Sequence, residues 1–317
     1  MTLGATGGHD AHRDRGRQRI HRPASHRQLF SAGHEVVWLS NRPGRFALGE
    51  RYTEVPFTHM TPLDDGPLPA WAEAVVRADV VVNLSGYSIV MRGNEERKRL
   101  LRDSRVYTAR ALKEAIKRAL GAGRGPSAYI GASAIGIYGD AGDTIVAEDA
   151  PAGTDWLSQL GVTWERETFA VGEETGVRTV AVRTGLVLGG EGFLPKMALP
   201  TMLFVGGPVG RGTQWTPWIH LDDMAGIYRF VIEHDDISGP VNAVAPNPVT
   251  MREFSKALGR VLRRPSWFPV PGFGLKIVLG EVAPYVVLSQ RPTMQKLLDA
   301  SYEFAYPEID GAIAAAL

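Results

Sequence analysis

The sequence predicts an α/β fold built on a parallel sheet, and three observations carry that prediction. Two apolar runs, from Asp79 to Gly86 and from Ala128 to Asp140, lack polar alternation, as do strands covered on both faces. Between them, Asn94 to Leu120 is long and charged, with apolar residues at Leu100, Leu101, Val106, Leu112, Ile116 and Leu120. That spacing is an amphipathic helix. Strand, helix and strand of these lengths make a right-handed crossover between parallel strands. In open parallel sheets ligands collect outside the carboxyl ends of the strands. Asn83, Ser85, Gly86, Ser133 and Tyr138 stand there.

Taken in order, Leu29 to Gly33 reads as a helix end with a glycine cap. Glu35 to Ser40 is a strand and Tyr52 to Phe57 a short third one. Pro62 to Pro69 is a proline-rich loop, and Trp71 to Arg77 a short helix entering the central unit. Asp155 to Glu174 reads as a helix, with Trp164 and Phe169 on its buried face. Arg178 to Gly185 is the next strand, followed by Leu186 to Leu188. Residues 189–217 are rich in glycine and read as a long excursion over the sheet, where function commonly lies. Trp218 to Asp223 restarts the regular pattern, and Met224 to Glu233 is a helix. Pro240 to Val244 is a short strand. Thr250 and Glu253 have capping-box spacing for a helix running to about Leu262. The rest is helix and loop.

A chain of 317 residues allows one large or two modest domains. Hydrophobic content of 44% and charged content of 22% suit a soluble globular protein. There is no cysteine, which removes thiol catalysis, disulfides and cysteine–metal sites and fits a reducing compartment, the cytoplasm. Even the most apolar late stretch, Trp267 to Leu288, is broken by Lys276, Glu281 and prolines, so no membrane span is expected. The net charge of +1 comes from residues 1–27, which hold six Arg against two Asp. No aromatic or motif context there supports a nucleic-acid partner. The expected partner is a small-molecule substrate, and the oligomeric state is left open.

Several residues carry chemistry. Asn83-Leu-Ser-Gly86, with Leu84 and Ser85 between its ends, supplies the small side chains a loop needs to lie flat on a nucleotide. A tight strand-to-helix turn is the structural alternative. Ser133 and Tyr138 form a hydroxyl pair able to polarise a carbonyl or relay a proton. The alternatives are a helix cap for Ser133 and a core aromatic with a bonded hydroxyl for Tyr138. His220, Asp222 and Asp223 are too close in sequence to share a metal, and a hydrogen-bond network at a domain junction is the favoured reading. Arg183 and Arg211 suit either an anionic substrate or structural ion pairs. No Gly-x-Ser-x-Gly elbow is present, which disfavours a serine hydrolase.

Together these segments resemble the extended short-chain dehydrogenase/reductase superfamily. More narrowly, they resemble its atypical "epimerase family protein" branch, related to sugar-nucleotide epimerases. The resemblance rests on Val82 to Gly86, Ser104-Arg105 with Thr108, Ser133 to Asp140, Trp164-Glu165, Arg183 to Leu188, Gly206 to Gly210, and Gln214 to Asp223. Gln290 to Pro292 and Tyr302 to Pro307 match the branch's C-terminal part. It implies a Rossmann-like doubly wound parallel sheet with a smaller C-terminal α+β substrate domain. Residues 1–185 would form the NADP-binding domain, with 219–245 returning to it. Residues 186–218 and 246–317 would form the substrate side. Arg42, just after the second strand, would meet the 2′-phosphate of NADP; a solvated turn arginine is its alternative. Asn83, Leu84, Ser85 and Gly86 would line the ribose and pyrophosphate side, and Ser133 would match the superfamily's active-site serine. Arg183 and Gly185 would lie near the nicotinamide, in the segment running to Val187. Leu157 and Gly161 stand where the wider superfamily carries its catalytic Tyr and Lys. The resemblance therefore implies an NADP-binding oxidoreductase or epimerase, with a non-catalytic NADP-binding sensor or interaction protein as the alternative.

Residues 1–27 depart from that pattern. Gly4-Ala-Thr-Gly-Gly8 looks like part of a phosphate loop, yet no apolar strand precedes it. Read one base further on, the codons of His9 to His26 permit an apolar strand, a glycine loop and a helix start. On that reading the chain as written lacks its pyrophosphate loop and binds NADP poorly. Its first strand is then absent or malformed, and its Arg/His-rich start poorly packed.

Overall fold

The computed structural model describes residues 2–3, 29, 31–41, 52–58, 63, 66–87, 95–190, 192–267 and 287–317. Strands β1 (Thr2–Leu3), β2 (Val36–Ser40) and β3 (Tyr52–Pro56) come first. Helix α1 (Ala70–Val76) leads into β4 (Val80–Asn83), and α2 (Glu95–Gly121) crosses to β5 (Ala128–Ala134). A 3-10 turn at Ile135–Tyr138 ends β5 and precedes β6 (Ile145–Val146). Helix α3 (Trp156–Thr175) returns the chain to β7 (Arg178–Thr184) and β8 (Leu186–Leu188). Next are α4 (Phe193–Met202), β9 (Trp215–Thr216), β10 (Trp218–His220), α5 (Leu221–Glu233) and β11 (Gly239–Ala243). The chain closes with β12 (Val249–Thr250), α6 (Met251–Leu262), β13 (Arg291–Pro292), α7 (Gln295–Asp299) and α8 (Ile309–Ala316).

Seven strands make one sheet in the order β11, β7, β5, β4, β1, β2, β3, and every neighbouring pair is parallel. The strand order reverses between β1 and β4. That reversal opens a crevice at the carboxyl ends, the general ligand site of such sheets. Both faces are covered, which explains the unbroken apolar runs. Val80 and Val82 point into a cluster with Trp38, Ile130, Val182, Ile227 and Val231. Val81, between them, points the other way, to Leu39, Trp71, Leu112, Ile116 and Val171. A separate apolar cluster joins Leu188, Leu194, Trp218, Phe254, Leu258 and Ile313, tying α4, α6 and α8 to the short sheet of β8 and β10.

Local signals account for the helix ends. The Asp155 carboxylate accepts from the amides of Leu157 (2.9 Å) and Ser158 (3.2 Å), and α3 stops at Gly176 with φ +74°. Thr250 and Glu253 form the expected capping box at the start of α6. Gly131 lets α3 approach the sheet, since a Cβ there would lie 2.5 Å from Thr168 Oγ1. Gly33, at φ +87°, ends the helical turn at Leu29, whose carbonyl accepts from His34.

Two expectations need correction. Residues 189–217 are not all loop: α4 occupies Phe193–Met202. Pro195 falls in its first turn, where a missing amide costs nothing, and the glycines flank the helix. The first strand, expected to be absent or malformed, is present. Thr2 and Leu3 pair with Val37 and Trp38 on one side and with Val81 and Val82 on the other. The slot between β2 and β4 offers backbone donors and acceptors from both sides, so a two-residue extended segment suffices to fill it. A strand therefore does precede Gly4. Residues 4–28, including Gly4 to Gly8, lie outside the described residues.

Candidate functional site

The first part of the site is the loop after β4, Asn83 to Tyr87. Asn83 is fully buried. Its amide nitrogen donates to Tyr129 Oη (2.8 Å), and its Oδ1 accepts from the Ser85 amide (3.0 Å) and from Ser85 Oγ (2.5 Å). Asn83 thus shapes the loop from within. Leu84 packs on the central cluster. Tyr87 has its amide bonded to Ser104 Oγ (3.0 Å) and its carbonyl bonded to both terminal nitrogens of Arg105 (3.3 Å each). Gly86 lies against that guanidinium: a Cβ would sit 3.0 Å from Arg105 Cζ. Here the side chain is missing for packing, and the loop is pre-formed.

The second part lies at the ends of β5 and β7. Ser133 Oγ donates to Glu165 Oε1 (2.5 Å). Arg183 holds the same carboxylate in a two-pronged grip, Nε to Oε1 and Nη2 to Oε2, each 2.8 Å. Arg183 Nη1 donates to Tyr138 Oη (2.7 Å) and to the Glu148 carbonyl (2.8 Å). Tyr138 Oη donates to Asn242 Oδ1 (2.8 Å). Asn242 is held in turn by Glu148 Oε1 (3.1 Å) and the Thr293 carbonyl (2.9 Å). Ser133, Glu165, Arg183 and Tyr138 are all buried. Burial opposes the Arg183 charge, but the bonds and charge of Glu165, helped by Tyr138, more than offset it and raise its pKa. Burial raises the Tyr138 pKa against the pull of Arg183. Both hydroxyls of the predicted pair are therefore brought into one network, each already bonded within the protein.

Leu157 and Gly161, both on α3, are taken up by packing. A Cβ on Gly161 would meet Ile137 Cβ at 3.1 Å, and one on Gly136 would meet Leu157 Cδ2 at 3.3 Å. The 3-10 turn rests on the helix there. Gly185 has a packing reason too, since a Cβ would come within 2.9 Å of the Pro217 carbonyl oxygen. Arg211 is exposed. Arg42 lies outside the described residues.

The His220 cluster is a junction. His220 Nδ1 accepts from the Asp222 amide (3.2 Å) and its ring packs on Tyr306, centroids 3.8 Å apart. The Asp223 carboxylate accepts from the amides of Ala305 (2.7 Å) and Tyr306 (2.9 Å). Among the described residues, no group of three or more His, Asp or Glu side chains could hold a metal ion. None of the helices there is long and apolar enough to cross a membrane.

Sequence reading gave no role to Glu165, Asn242, Ser104 or Arg105. A signal existed for Glu165. Arg183 sits in an otherwise apolar strand, and a buried arginine commonly has a carboxylate partner. Glu165 lies beside Trp164 on the inward face of the neighbouring helix.

A parallel sheet reversed between β1 and β4, with a pre-formed polar loop beside the reversal, defines a Rossmann-like protein. The chain belongs to the NAD dependent epimerase/dehydratase family, whose sequence profile matches residues 24–244. Residues 270–316 match a domain of unknown function, DUF1731. Epimerase family protein YfhF of Bacillus subtilis is 37% identical over 287 residues, 90% of each chain. The human epimerase family protein SDR39U1 is 33% identical over 295 residues, covering 90% of this chain and 92% of its own. The crystal structure of human SDR39U1 (isoform2) with NADPH superposes with a TM-score of 0.79 at 28% identity, over 100% of this chain and 99% of that one. Thermus thermophilus UDP-glucose 4-epimerase in complex with NAD gives a TM-score of 0.73 at 16% identity, a likeness of fold.

Proposed function

We propose that the chain binds NADP(H) across the carboxyl ends of β1, β4 and β5 and works as an oxidoreductase or epimerase on a small, nucleotide-linked substrate. The observation that carries this reading is the Asn83–Tyr87 loop, held in shape beside the strand reversal by bonds from Asn83, Ser104 and Arg105. The NADPH in the human relative's structure supports the choice of cofactor. Residues 186–218 and 246–317 form the substrate side. Arg42 is the residue that selects NADP over NAD through the 2′-phosphate. Ser133 is the catalytic hydroxyl, and Tyr138 with Arg183 its polar surroundings.

A second reading has its own observation. Leu157 and Gly161 pack where an acid–base pair would stand, which favours a protein that holds NADP without turnover. One experiment separates the two: NADPH fluorescence titration, then a screen of carbonyl and sugar-nucleotide substrates. Binding with consumption of a substrate supports the enzyme, and binding with none supports the sensor. No binding removes both. Arg42→Ala should weaken NADP about ten- to a hundredfold while sparing NAD, the loss of one charge-assisted contact; equal losses would remove Arg42 from the role.

A further inference from the structure

Arg105 is 6% exposed, and among the described residues no carboxylate bonds to it. Its terminal nitrogens donate to main-chain carbonyls, Leu101 in its own helix (2.8 Å) and Tyr87 in the β4 loop (3.3 Å). Its Cζ lies over the Trp164 ring on α3, 4.4 Å from the centroid, and among the described residues its Nε has no partner. It also lies against Gly86, where a Cβ would sit 3.0 Å from its Cζ. The guanidinium is thus a middle layer between the β4 loop and α3. Next to it Ser104 Oγ donates to the Leu101 carbonyl (3.1 Å) while accepting from the Tyr87 amide. Burial holds the Arg105 pKa down, to about 10. A cation kept buried without a counter-charge is costly, and an ordinary turn does not need one.

We infer that Ser104, Arg105 and Trp164 form a clamp that grips both main-chain groups of Tyr87 and sets the height of the Asn83–Tyr87 loop over the dinucleotide. This rests on the NADP(H) reading above. Arg105 and Ser104 are positioning residues: they act through the loop and touch no ligand. The side chain of Tyr87 completes the hold, packing with Leu101 on α2 and with Trp156, Leu157 and Leu160 around α3.

The test uses the full chain with Arg105→Met and, as a milder change, Ser104→Ala. Amide hydrogen exchange over residues 80–87 and NADPH titration are read well below the thermal midpoint of each variant. The clamp predicts exchange at the Tyr87 amide faster by about tenfold or more and NADPH binding weaker by about tenfold, with β4 unchanged. Exchange that rises equally in β4 and the loop, or in neither, overturns the clamp. A loosened loop with unchanged NADPH affinity overturns its part in cofactor binding. If the unmodified protein binds no NADPH, the cofactor reading fails, and the exchange data alone decide whether the clamp exists. A double variant adds a readout that overall destabilisation does not mimic. Gly86→Ala places a methyl against Arg105 Cζ, so its effect on the loop should be smaller in the Arg105→Met background; equal effects in both backgrounds count against the packing.

Discussion

Arg105 and Arg183 are both 6% exposed and lie on either side of the β5 end, yet they meet burial in opposite ways. Arg183 has a carboxylate, Glu165, held by two parallel bonds, and its charge is stabilised. Among the described residues Arg105 meets carbonyl dipoles and an aromatic face and no carboxylate, and burial opposes its charge. The difference follows from what each region must hold. Arg183 joins β7 to α3 and to the 3-10 turn, and a matched ion pair is rigid and directional. Arg105 holds a loop by its main chain, where carbonyls are the groups on offer. A carboxylate beside it would compete for the same donors and release Tyr87.

The largest effect should come from breaking the matched pair on one side. Glu165→Ala leaves Arg183 charged and buried with no counter-charge, a loss of about 3–5 kcal/mol in unfolding free energy. Ser133 loses its acceptor in the same step. Denaturant unfolding reads it directly. A loss below 1 kcal/mol would mean that the Tyr138 and Glu148 contacts carry Arg183 alone.

Arg105→Met should cost less, about 1–3 kcal/mol, because it removes bonds to neutral carbonyls and leaves no ion unpaired, and the Leu101 carbonyl keeps the Ser104 hydroxyl. The order of the two losses is the sharper test. If Arg105→Met proves the more damaging, counter-charge is not what separates the two sites. Ser133→Ala should be smaller again, about 1 kcal/mol, since Glu165 keeps both arginine bonds. If Ser133 is catalytic, that variant also lowers turnover while leaving NADPH affinity unchanged.

Much of this was legible in the sequence. The parallel sheet was, because Val80–Val82 and Ala128–Ile130 are apolar on both faces. The capping box at Thr250 was, because it is local. The helix at Phe193–Met202 was not, since the glycines on both sides of it mask its periodicity. β1 was missed because its two residues hold no pattern of their own; their place is set by neighbours distant in sequence. Asn83, Ser133, Tyr138 and Arg183 stand out in the sequence, but what they bond to does not. Glu165 is 32 residues from Ser133 and Asn242 is 104 from Tyr138. Such partners depend on register between strands and on helix packing, which local spacing does not encode.

His220 gives a third answer to burial, neither paired nor clamped but discharged. Burial lowers its pKa, and the nearby Asp222 and Asp223 offset part of that. Its Nδ1 accepts the Asp222 amide at the start of α5, which requires that nitrogen unprotonated. The groups facing the ring are Tyr306 and the carboxylates of Asp222 and Asp223. With the folded pKa below the ordinary value, about 6.5, the unfolded chain binds the extra proton first as pH falls. Stability is therefore full above that value and declines through the window beneath it, by at most about 1.4 kcal/mol per pH unit. His220→Asn keeps an N-cap acceptor and removes the titration. Between pH 7 and pH 5 its unfolding free energy should fall less steeply than that of the unmodified chain. Identical slopes would mean that His220 accepts its proton while folded, with Asp222 and Asp223 acting as counter-charges, as Glu165 does for Arg183.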